Sequence, residues 1–158
     1  PYLDWWRETF GGPPEQLDGL ACFQGGKYAI WIASADIDLE GLGRLVEGVG
    51  MPFARLGRRH WKPAGPAVRH FGAAATRGVF EATREEAADF LAGETLPPAP
   101  GDERFEGMPR GYAIVRLGGV PIGCGLWMAD GLESNVPKGR RIEALDLPPA
   151  GVRPRLAR

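Results

Sequence analysis

Glycine and proline occupy 24 and 15 of the 158 positions in this chain. At that frequency long helices are excluded, because glycine weakens a helix interior and proline breaks it. Short elements joined by many turns are expected, a pattern that suits a β-rich fold better than a helical bundle. The hydrophobic fraction is nevertheless 44%, including five Trp and seven Phe, which is too apolar for a disordered chain. A chain of this length buries roughly two-thirds of its unfolded surface without disulfides or metals. One compact domain is therefore expected over residues 1–146, with an N-terminal helical extension, followed by a loose basic tail over 147–158.

Leu3, Trp6 and Phe10 stand at helical spacing before the breaker Gly11-Gly12-Pro13-Pro14, which predicts a short helix with an aromatic face. Pro14 to Leu17 is read as a further helical turn. Residues 20–23 and 27–33 form a hairpin around Gln24-Gly25-Gly26, and Leu39, Leu42, Leu45 and Val46 mark a short amphipathic helix. Met51 to Leu56 alternates as a strand, Pro66 to Phe71 is helical, and a strand lies around Gly78 to Glu81. Thr83 with Glu86 three residues later is a capping box, and Gly93 a stop, for the clearest helix in the chain. Residues 95–110, rich in proline and acid, are expected to be a mobile loop. Residues 111–117 and 120–128 make a second hairpin on Gly118-Gly119, with Gly123 and Gly125 marking a bulge or a close backbone approach.

The net charge is -1, but it is unevenly spread. Residues 51–80 carry Arg55, Arg58, Arg59, Lys62, Arg69 and Arg77 and no acid. Residues 138–158 carry Lys138, Arg140, Arg141, Arg153, Arg155 and Arg158 against Glu143 and Asp146. Brought together by folding, these two segments would form a patch able to release counterions from a phosphate backbone; left apart, they are a solvated surface. No stretch approaches the roughly 20 apolar residues of a membrane span, and the N-terminus lacks a signal-type core, so a soluble, cytoplasmic protein without membrane contact is expected.

No motif in the chain carries catalysis. The glycine clusters fit neither the phosphate-binding loop nor the dinucleotide fingerprint. His60 and His70 have no carboxylate or cysteine beside them in sequence, and His60 sits among Arg58, Arg59 and Lys62. Ser34 and Ser134 lie outside a nucleophile elbow. Cys22 and Cys124 are flanked by apolar residues and read as inert buried thiols. The carboxylate pairs Glu85-Glu86 and Asp102-Glu103 are assigned to helix ends and solvation. We therefore expect no catalytic residue, metal or cofactor. The remaining combinations are Arg58-Arg59-His60-Trp61-Lys62-Pro63 and Val136-Pro137-Lys138-Gly139-Arg140-Arg141. Aromatic planes among cations are how unpaired RNA is gripped, although by burial habits Trp61 is more often core than platform.

In order along the chain stand Phe10-Gly11, Trp61-Lys62-Pro63, Glu85-Glu86-Ala87 with Phe90-Leu91 and Gly93-Glu94, Gly111-Tyr112 with Val115, Pro121-Ile122-Gly123 with Gly125, and Pro137-Lys138-Gly139 with Arg141. This order resembles the PUA-like RNA-binding domain of RsmF-type rRNA cytosine methyltransferases, over residues 5 to 142, and stand-alone archaeal relatives of that domain. The resemblance implies an α+β fold, a small mixed β pseudobarrel with peripheral short helices, and recognition of structured RNA without catalysis. The methyltransferase chemistry of that family belongs to a separate domain whose Pro-Cys and Thr-Cys motifs do not occur here. This chain departs from the family at Gly65, where a histidine is usual, and at Glu133-Ser134-Asn135-Val136, where Lys, Asn and Tyr are lost. Lys138 and Arg141 carry over and Arg140 is an added cation.

The expected function is binding of rRNA or tRNA during RNA modification or ribosome assembly. Arg58, Arg59 and Lys62 would hold phosphates, Trp61 would stack on a base or support the groove, Lys138, Arg140 and Arg141 would form the opposite wall, and Arg69 and Arg77 are also expected to bind RNA. The alternative is a module that docks on a separate RNA methyltransferase or ribosomal protein through an exposed aromatic N-terminal helix.

Overall fold

The computed structural model describes residues 1–38, 40–41, 48–57 and 61–142. The helix expected on Leu39, Leu42, Leu45 and Val46, the residues Arg58, Arg59 and His60, and the tail over 147–158 lie outside them. Helix α1 (Tyr2–Phe10) buries Trp6 and Phe10 and stops at Gly11, whose φ of 66° suits glycine. A 3-10 turn follows at Pro14–Leu17. Strands β1 (Leu20–Gly25) and β2 (Ala29–Ser34) form the first hairpin. Its turn is shifted two residues from the expected place. Gly25 stays in the strand opposite Ala29 because a Cβ there would collide with the Trp31 ring, and Gly26, at φ 74°, starts the reversal.

Strands β3 (Met51–Arg55) and β4 (Lys62–Pro63) extend this sheet, which is antiparallel throughout in the order β1-β2-β3-β4. Helix α2 (Gly65–Phe71) leads through the 3-10 turn Gly72–Ala74 to β5 (Val79–Glu81). Helix α3 (Arg84–Ala92) and helix α4 (Glu103–Glu106) then carry the chain to β6 (Gly111–Leu117), which pairs parallel with β5. Strands β7 (Val120–Met128) and β8 (Gly131–Ser134) complete a second sheet in the order β5-β6-β7-β8. A final 3-10 turn spans Lys138–Arg140.

The fold is mixed α+β with short helices, as expected, and no closed barrel is formed among the described residues. Among the described residues the strands make two separate four-stranded sheets. Strand β4 is only two residues long and ends on a proline, which offers no N–H to a further strand, so the first sheet stops there. The glycine hairpin does form: Gly118 and Gly119 take φ of 57° and 80° between Leu117 and Val120. The register shifts between Val115 and Arg116, leaving Ile122 as the extra residue of a bulge. Gly125 marks the close approach, since a Cβ there would lie 2.8 Å from Leu132 Cδ1.

The second sheet is covered on both faces. One face, with Ile114 and Cys124, joins Trp6, Phe10, Ile30, Phe53, Val68 and Phe71 in a core beneath α1 and α2. The other, with Ala113, Val115 and Trp127, packs on Ala87 and Phe90 of α3 and Phe105 of α4. Trp6 is fully buried and Trp5 is partly buried, edge-on to Trp6, Phe10 and Phe53. The aromatic helix expected to be exposed for docking is thus spent on the protein's own core. No helix among the described residues is long and apolar enough to cross a membrane.

Residues 95–110 are not the mobile loop expected. Leu96 pairs with Leu132, Phe105 and Met108 are buried, and Asp102 caps α4 by accepting from Arg104 N. Arg104 holds the segment: its guanidinium donates to Asp102, to both oxygens of Glu86 and to the Glu81 carbonyl, and lies 4.6 Å from the Phe80 ring centre. Hydrogen bonds from Arg104 are the largest influence lowering the Glu86 and Asp102 carboxyls below their ordinary values. Glu86 meanwhile completes the capping box of α3, accepting from Thr83 N while Thr83 Oγ1 accepts from Glu86 N. Because both carboxyls are depressed in the folded state, their contribution is present above their unfolded values and is lost as pH falls below about 4.5. Arg104→Ala is expected to cost about 1.5 kcal/mol at neutral pH, the side chain being partly open to screening water, and to flatten the acid limb of stability. Urea unfolding between pH 2 and 7 reads both effects.

Candidate nucleic-acid interface

Alternation along β2 turns Ile30 and Ile32 into the core and leaves Trp31 half-buried on the opposite face. Its ring is held over Gly25. Next to it, register pairs Arg55 of β3 with Lys62 of β4, so two cations sit side by side at the end of the first sheet. Lys62 Nζ reaches across to the second sheet, donating to Asn135 Oδ1 at 2.6 Å and lying 5.9 Å from the Tyr112 ring centre. Helix α2 adds Arg69, and the turn after β8 adds Arg140.

These residues surround a cleft of about 760 Å³ between the first sheet, α2 and the segment following β8. Its walls include Ala54, Pro63, Leu91, Ile122, Cys124 and Val136, and among the described residues no carboxylate lines it. Arg55, Arg69 and Arg140 are exposed, and none of the three is ion-paired with a described carboxylate. The cleft therefore presents an apolar floor and a positive rim. The thiol of Cys124, in its wall, is pushed up to about 11 by burial, and partial burial raises that of Cys22 as well. Both cysteines are free and remain protonated at neutral pH; Cys22 is only partly buried, not fully as expected.

The nine residues expected at the site are divided by the fold. Lys62, Arg69 and Arg140 meet in this cleft, so the two basic segments do converge. Trp61 and Arg77 instead line a second cleft of about 1120 Å³, together with Trp5, Tyr112, Arg110 and the carboxylates of Asp4, Glu8 and Glu103. The Trp61 ring packs at 5.0 Å from Tyr2 and 5.6 Å from Trp5, and Arg77 Nη2 donates to the Arg7 carbonyl at 2.6 Å near the C-terminal end of α1. Lys138 is exposed on its turn. Arg141 donates to the Val136 carbonyl at 3.4 Å with its guanidinium over Gly93. Neither lines the acid-free cleft. Arg58 and Arg59 lie outside the described residues.

Sequence reasoning missed Trp31, Arg55 and Asn135 as members of the site. For Trp31 a signal existed: isoleucines on either side fix which face it occupies. Arg55 had none beyond its charge, because its place depends on pairing with a strand of two residues. Asn135 is identified only by its long-range bond to Lys62. Of the two histidines, His70 is exposed, its ring edge-on to Phe71 at 4.7 Å. Among the described residues no group of His, Cys, Asp and Glu is placed to hold a metal ion.

Residues 77–142 match the family described as the methyltransferase RsmF PUA domain. The matched span contains β5 to β8, α3, α4 and the turn bearing Arg140. The first sheet and α2, which supply Trp31, Arg55, Lys62 and Arg69, precede it. No curated protein matches the chain.

Proposed function

We propose that this chain, whose residues 77–142 match the PUA domain of the methyltransferase RsmF, is a non-catalytic RNA-binding module that recognises rRNA or tRNA in RNA modification or ribosome assembly in the cytoplasm. The observation that carries this reading is the cleft in which cations from both basic segments converge with no carboxylate among the described lining residues. Four cations around one cleft with no described carboxylate among its lining residues favour a polyanion over a protein surface, where acid and base alternate. Chemistry on the RNA would be supplied by a separate protein, an RNA methyltransferase being the partner that the matched family suggests. The burial of Trp6 disfavours the competing reading of an aromatic docking helix.

Fluorescence anisotropy with labelled tRNA and rRNA fragments at several salt concentrations tests the reading. Affinity is expected to fall linearly on a log–log plot, each phosphate-holding cation adding about 0.7 to 0.9 to the slope. Absence of binding at low salt, or affinity indifferent to salt, would overturn it.

A further inference from the structure

A surface that only holds a duplex backbone needs charge, not depth. Here the cations surround a concavity of about 760 Å³, well within the range of pockets that bury small ligands, roughly 300–1,000 Å³. Its floor is apolar, formed by Ala54, Pro63, Leu91, Ile122 and Val136, which phosphates cannot use. We propose that the cleft admits one unpaired nucleotide extruded from an RNA, with its base on this floor beside Trp31 and its flanking phosphates on Arg55, Arg69 and Arg140. This rests on the RNA-binding reading above and names the element of RNA that is read.

Three features fit a nucleotide. Trp31 is half-buried and lines the cleft, its ring packed so close to Gly25 that a Cβ there would collide with it, so an aromatic surface is in place before the ligand arrives. Asn135 Oδ1 accepts from Lys62 Nζ at 2.6 Å, while its amide nitrogen donates to the Glu133 carbonyl only at 3.5 Å; its second N–H can reach an acceptor on a base edge. Lys62 uses one of its three ammonium donors on Asn135, leaving two for a phosphate at the mouth. The base is thus held from its face and its edge while its charge stays at the rim.

The test uses three labelled hairpin RNAs that differ at one position: fully paired, carrying a single-nucleotide bulge, and carrying the same bulge as an abasic residue that keeps its phosphate. The bulged RNA is expected to bind about tenfold or more tightly than the other two, the size of effect that one stacked base gives. Trp31→Ala should erase that preference at unchanged melting temperature, and Trp31→Phe should keep most of it. If Trp31→Ala unfolds, the abasic RNA still decides, because it removes the base without altering the protein. Equal, salt-dependent binding of all three RNAs would overturn the extruded-nucleotide proposal while leaving RNA binding intact. Binding of none would overturn both. A mixture of the four nucleoside 5′-monophosphates is the last arm: displacement of RNA at concentrations equal to the RNA's own would assign the cleft to a free nucleotide and overturn the RNA source.

Discussion

Replacing Arg55, Lys62, Arg69 and Arg140 together by alanine is expected to weaken RNA binding by roughly a hundred- to a thousandfold near 0.1 M salt and to lower the salt slope by about three. Four phosphate contacts would be lost at once, and among the described residues no carboxylate in the cleft is left unpaired to confuse the result. Three of the four side chains are exposed, so their truncation should leave the fold undisturbed. Lys62 is different, because its bond to Asn135 joins the two sheets; losing it is expected to cost about 1 kcal/mol. The triple variant that keeps Lys62 separates the two effects, with a slope lowered by about two and an unchanged melting temperature. Anisotropy at four salt concentrations and thermal unfolding by circular dichroism give both numbers. Unchanged affinity in the quadruple variant would move the interface to the mixed-charge cleft that holds Trp61, Arg77 and Arg110.

Trp6→Ala is expected to be the most damaging single substitution, at about 4 kcal/mol. The side chain is fully buried, with ring centres 4.7 Å from Phe10, 5.2 Å from Phe53 and 5.7 Å from Phe71. Removing it opens a cavity between α1 and the first sheet that three aromatic rings cannot close without leaving their own contacts. In a domain of this size the loss corresponds to a fall in melting temperature of about 12 °C. Trp6→Phe should behave otherwise. Among the described residues the buried indole Nε1 has no hydrogen-bond partner, and an unmet donor costs about 1–3 kcal/mol. Replacing it by phenylalanine offsets part of the lost ring area, so a change within about 1 kcal/mol of the wild type is expected. A loss under 1 kcal/mol for Trp6→Ala would mean that α1 is an appendage and not part of the core.

Elements set by neighbouring residues were readable from the sequence. Thr83, Glu86 and Gly93 define both ends of α3 through bonds within a single turn, and Gly118-Gly119 closes its hairpin because few other residues adopt two successive positive φ angles. Elements decided at a distance were not. The anchoring of residues 95–110 depends on Arg104 finding Glu86 and the Glu81 carbonyl, which nothing within the segment announces. The number of sheets depends on how soon β4 ends. The same division runs through the site. Charge alone singled out Lys62, Arg69 and Arg140, but whether Trp61 becomes a platform or a packing partner turns on the position of Tyr2 and Trp5. Those two residues are far away in sequence and touch it only after α1 docks.

The cleft is also a seam. One bank, with Trp31, Arg55, Lys62 and Arg69, precedes the family-matched span; the other, with Asn135 and Arg140, lies within it. A fragment trimmed to residues 77–142 would keep only Arg140 of the four rim cations and would bare the Ile114 and Cys124 face of its sheet to water. The portable unit is therefore larger than the recognisable one. Exchanging the upstream bank for that of another chain that matches the same family would change the cleft's lining without altering the matched segment.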